Sequence, residues 1–122
     1  MKVTTEQQVD RASSGAIAVA DGGVLVVTGE HDGPISVEGG GQLDVRGTVR
    51  GPITIESLGR ANVSGSVDGY VLIRVAGTLV NEASGRISGG GKNFGSFTNH
   101  GFRTGLIQER QPDDRDGSTY DR

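Results

Sequence analysis

The chain has 122 residues, 22 of them glycine and none cysteine or tryptophan; 33% are hydrophobic, and 12 Lys and Arg against 15 Asp and Glu leave a formal charge of −3. The missing cysteine excludes a disulfide framework, a thiolate zinc site and a Cys nucleophile. The charge balance argues against nucleic acid as a partner, and no run nears the ~20 apolar residues of a membrane helix, which argues against direct membrane insertion. These totals fit one cytoplasmic domain, and the placement of the glycines decides between disorder and a fold.

Residues 1–14 form a polar arm without the apolar stretch of a secretory signal. The arm either adds a strand over the first coil or stays loose. From Gly15 onward a period of 18 aligns Gly15–Asp32, Gly33–Arg50, Gly51–Asp68 and Gly69–Arg86 without gaps. Apolar columns follow: Ile17, Ile35, Ile53, Val71; Val19, Val37, Ile55, Ile73; Leu25, Leu43, Ala61, Leu79; Val27, Val45, Val63; and Val49 with Val67. Glycine keeps the same ruler at Gly15, Gly33, Gly51, Gly69 and Gly105, at Gly23, Gly41, Gly59, Gly77 and Gly95, and at Gly29, Gly47, Gly65 and Gly101. Linker glycine has no such order.

Within each period apolar and polar residues alternate, and inward positions recur every six residues from Val37 to Leu79. Alternation predicts strands with one buried face. Three short strands per period, with glycine at the bends, predict an all-β, single-domain, three-faced β-solenoid of about five 18-residue coils over residues 15–107. A narrow stacked core also accounts for the low hydrophobic fraction. Asn81 and Asn99 continue the Val27–Val63 column, either as a ladder of stacked amides or as amides facing water. The run Gly89–Asn93 breaks the template, and register returns at Gly95–Gly101. Phe94, Phe97 and Phe102 gather in this last coil, as a plug for the core or as a patch for a partner. Residues 108–122 are charged and nearly free of apolar side chains, the composition of a disordered tail. Asp32, Arg50, Asp68 and Arg86 alternate in sign along one edge.

Residues suited to catalysis or metal binding are sparse. His31 stands in the column later held by Val49 and Val67, and His100 lies three coils away, so the two cannot share a metal within one chain. Glu38 and Glu56 are followed in their column by Arg74, a self-neutralising arrangement. The triple glycines at 39–41 and 89–91 lack the Lys-Ser/Thr of a phosphate loop. No catalytic residue, cofactor site or metal ligand is assigned.

The segment Val45–Ile55, VRGTVRGPITI, resembles the V-x-G-x-V-x-G-x-I rung of bactofilins, and Val63–Gly69 repeats it. That resemblance implies a right-handed β-helix and a bacterial, polymer-forming cytoskeletal scaffold that assembles end to end without nucleotide. On this reading the chain is a non-enzymatic protein whose main partner is itself, through helix ends or faces, with an end at Ile17, Val19, Leu25 and Val27. The alternative is a discrete protein-binding module, of inhibitor or immunity type, using a solenoid face around Gly89–Phe102 with Phe94, Phe97 and Phe102. The enzyme alternative is a trimeric, hexapeptide-type acyltransferase, an analogy of fold alone.

Overall fold

Short β-branched strands separated by glycine-bearing bends cannot bury a face alone, so each must lie on a neighbour one period away. In the computed structural model, which describes residues 2–10, 12–105, 107–109, 113–114 and 119–121, the chain does this in seven rungs. The first is β1 (Lys2–Val3), β2 (Glu6–Val9) and β3 (Ser13–Ser14); the second is β4 (Ile17–Val19), β5 (Val24–Val27) and β6 (Glu30–Asp32). The third is β7 (Ile35–Val37), β8 (Gln42–Val45) and β9 (Thr48–Arg50); the fourth is β10 (Ile53–Ile55), β11 (Arg60–Val63) and β12 (Ser66–Asp68). The fifth is β13 (Val71–Ile73), β14 (Thr78–Asn81) and β15 (Arg86–Ser88); the sixth is β16 (Gly91–Asn93), β17 (Ser96–Asn99) and β18 (Phe102–Thr104). The last is β19 (Ile107–Glu109), β20 (Asp113–Asp114) and β21 (Thr119–Asp121).

First strands stack into sheet A, second strands into sheet B and third strands into sheet C, each of seven strands and parallel throughout. This is a β-solenoid of about six turns, and no helix occurs among the described residues. The expected columns are the pairing register: Ile35 lies between Ile17 and Ile53, Val37 between Val19 and Ile55, and Leu43 between Leu25 and Ala61. All of these side chains are buried and form one continuous core.

The polar arm resolves into added strands, with Val3 paired to Val19 and β2 paired along β5. Within 108–122, the stretch assigned to a disordered tail, Gln108 and Glu109 belong to β19, β20 pairs with β17 and β21 with β18; residues 110–112, 115–118 and 122 lie outside the described residues. Backbone pairing needs no apolar side chain, so polar strands still add to an open sheet edge.

Two compensating changes explain the irregular fifth period. The corner between sheets B and C holds two residues at 28–29, 46–47 and 64–65 but four at 82–85. The corner between sheets A and B holds four residues at 20–23, 38–41, 56–59 and 74–77 but two at 94–95. Sheet A and sheet C therefore slip by two residues in this region, pairing Val71 with Gly91 and Val67 with Ile87, while β17 returns to β14 on the 18-residue ruler. The edge charges are corrected by the same slip. Arg50 and Asp68 are register partners, but Arg86 pairs with Ser66 and lies over the Phe102 ring, 4.7 Å from its centroid.

Candidate interaction surfaces

No cavity opens into the solenoid and no cluster of metal-ligating side chains occurs among the described residues. The chemistry on offer is that of surfaces, edges and a few buried polar groups.

Ile17, Val19, Leu25 and Val27, expected to form an open end, are buried in the second rung. The outermost rung is one turn earlier, and the positions stacked on Val19, Leu25, Val27 and His31 are Val3, Gln7, Val9 and Ser13. That end mixes apolar and polar groups. Ser13 Oγ and His31 Nδ1 lie 2.7 Å apart, tying the first rung to the second. The His31 ring is wholly buried, and its Nε2 has no hydrogen-bond partner among the described residues. His100 is exposed at the far corner of the sixth rung.

The three phenylalanines do not come together. Phe97 is buried above Leu79 in the core, Phe94 is exposed at the corner between sheets A and B, and Phe102 is half-buried beneath Arg86 on sheet C.

Toward the sixth rung the interior turns polar. The asparagine pair is the ladder: Asn81 Nδ2 donates to Asn99 Oδ1 at 2.8 Å and to the Phe102 carbonyl at 3.1 Å. Asn99 Oδ1 also accepts from the Gly101 amide at 3.1 Å, and Asn93 Oδ1 accepts from the Gly95 amide at 3.0 Å. Both are Asn-x-Gly corners, in which the side-chain amide bonds the backbone two residues on and holds a tight bend. Asn99→Ala leaves the buried Gly101 amide without its acceptor and removes one of the acceptors of Asn81 Nδ2, so a loss of about 2 kcal/mol is expected in urea unfolding. Arg103 continues the His31, Val49, Val67, Ile87 column and is only 3% exposed. A charge at that depth persists only with charged or hydrogen-bonded partners. Asn93, Asn99 and Arg103 have Glu109, Asp114 and Tyr120 as their register partners in the last rung.

Some of the charges on the outer surface are paired. Arg50 bonds Asp32 Oδ1 at 3.3 Å and Glu30 Oε1 at 3.1 Å, and these two carboxylates hold its guanidinium above the ordinary arginine value. Arg74 lies 3.8 Å from Glu56, as their shared column suggested.

The corner between sheets A and B carries a feature that the inward columns conceal. Its third residue has positive φ in four successive rungs: Gly22 and Gly40 (both 80°), then Leu58 (68°) and Ala76 (67°). A side chain in this left-handed region costs roughly 1–2 kcal/mol. Leu58 is 69% exposed, and Val75 (66%) and Phe94 (40%) occupy the same corner in the next two rungs, making an apolar ridge. Leu58→Gly relieves the strain at some cost in unfolded-chain entropy, and a net gain of about 0.5 kcal/mol is expected in urea unfolding.

A scan of family models, a search of curated proteins and a search of solved structures return no match for this chain.

Proposed function

We propose that the chain is a structural, scaffold-forming protein that associates with copies of itself along its solenoid, as its likeness to the bactofilin rung implies. The observation that carries this reading is the topology. Among the described residues three parallel sheets run side by side, with β1, β2 and β3 outermost on one side and β19, β20 and β21 outermost on the other. An outermost strand presents backbone N–H and C=O groups that a further rung satisfies, and the regular stacking makes each end a template for more of the same. The first rung offers the half-buried Val9 to such a contact, Val3 being already buried within the chain.

The exposed apolar ridge at Leu58, Val75 and Phe94 favours a second reading, a module that grips another protein through one edge. Electron microscopy of the purified chain separates the two. The scaffold reading expects rods longer than one molecule that lengthen with concentration. Discrete particles of one size, which join a heterologous protein in fixed stoichiometry and never lengthen, would support the module and overturn the scaffold.

A further inference from the structure

We propose that the corner between sheets A and B is a self-complementary docking edge, and that its occupant is a second copy of this chain lying antiparallel. This rests on the self-association reading and gives it a geometry. The edge is asymmetric along its length in two independent respects.

The first is shape. Toward the first rung the corner is small: Asp21–Gly22 in the second rung and Gly39–Gly40 in the third, where the Asp21 carboxylate lies over Gly40. Toward the last it is bulky and apolar: Val75–Ala76 in the fifth rung and Phe94 in the sixth, with Leu58 in the fourth between the two halves. Glycine performs the same backbone turn at 22 and 40, so the left-handed strain at Leu58 and Ala76 is not required by the fold. Strain retained at an exposed position, beneath an apolar ridge, points to a use for the side chains.

The second is charge. Asp21 and Glu38 flank the early half of the edge, beyond a first rung that holds both Lys2 and Glu6, whereas Arg74 and Lys92 flank the late half, and Glu56 and Arg60 share the middle rung. A two-fold axis at Leu58 lays the third rung against the partner's fifth and the second against the partner's sixth. Glu38 then meets Arg74, which its own chain also holds 3.8 Å from Glu56, Asp21 meets Lys92, and the ridge at Val75 and Phe94 sits over the small corners, while on the axis itself Glu56 faces its own copy. An isologous contact requires this self-matching pattern. A parallel arrangement instead sets Asp21 on Asp21 and the bulky Leu58 and Val75 on their own copies. From the second rung to the sixth the edge spans ~19 Å at ~4.8 Å per rung, shorter than a tight dimer interface, so the contact is a weak one.

The absence of native cysteine allows a direct test by single-cysteine cross-linking under mild oxidation. Leu58→Cys is expected to give a covalent dimer. Asp21→Cys and Phe94→Cys are each expected to stay uncross-linked alone and to join one another when mixed. Glu38→Arg should cut the Leu58→Cys dimer yield roughly tenfold, and adding Arg74→Glu should restore it. Failure of Leu58→Cys to cross-link, or self-cross-linking of Asp21→Cys, overturns the antiparallel edge. Sedimentation of the unmodified chain separates this failure from that of the broader reading. Open-ended growth without the cross-link overturns the edge and leaves self-association standing, whereas a monomer at every concentration overturns both.

Discussion

Gly51→Ala is expected to destabilise the protein by more than about 3 kcal/mol. Gly51 has φ +138°, and a Cβ on it would lie 2.7 Å from the carbonyl carbon of Gly33 in the rung below. Neither group is a flexible side chain that can swing aside. The clash pushes whole rungs apart and adds to the cost of the backbone conformation itself, roughly 1–3 kcal/mol. Two other glycines isolate the two contributions. Gly15 has φ +99° and Gly22 has φ +80°, and nothing stands within 4 Å of a Cβ on either. Alanine there should cost only the conformational part, about 1 kcal/mol at Gly22, where Ala76 already holds the equivalent turn. Chemical denaturation of the three variants checks the order. Equal losses at 51 and 22 would mean that rung-to-rung contact at the glycine stack contributes little.

Ile55→Ala is the second large effect, with an expected loss of about 3 kcal/mol. Ile55 is fully buried in the fourth rung, paired between Val37 and Ile73 in the middle of sheet A. In a linear stack each rung contacts only its neighbours, so the cavity weakens the coupling between the two halves as well as the local packing. Urea unfolding should therefore show a lower midpoint and a broader transition, the sign of halves that unfold separately. Val3→Ala, in the outermost rung, removes a buried side chain as well, but it should shift the midpoint without broadening the transition, because nothing beyond it is uncoupled.

The contrast between these positions shows what sequence carries in such a fold. Ile17, Ile35, Ile53 and Val71 occur 18 residues apart because they touch, so the pairing register is written directly into the chain. Asn81 and Asn99 were visible for the same reason, although spacing alone did not choose between a ladder and solvated amides. The slip between 82 and 95 was less legible. Two extra residues at one corner and two fewer at the next cancel, so the ruler resumes at Gly95 while Arg86, Asn93 and Arg103 move to partners that a fixed period does not assign. The strands within 108–122 escape composition because their pairing runs through backbone groups, and composition leaves the amino-terminal arm open between an added strand and a loose end. The apolar ridge escaped for another reason. Gly22, Gly40, Leu58 and Ala76 lie on the same ruler, but inward columns identify a core, and a corner's meaning lies in its φ and its exposure.

If the stacked rungs associate with further copies of the same chain, as proposed, sedimentation velocity across a concentration series will give a weight-average mass that rises with concentration and falls back on dilution. A single species at the mass of one chain, 12.6 kDa, over the whole range would contradict that association.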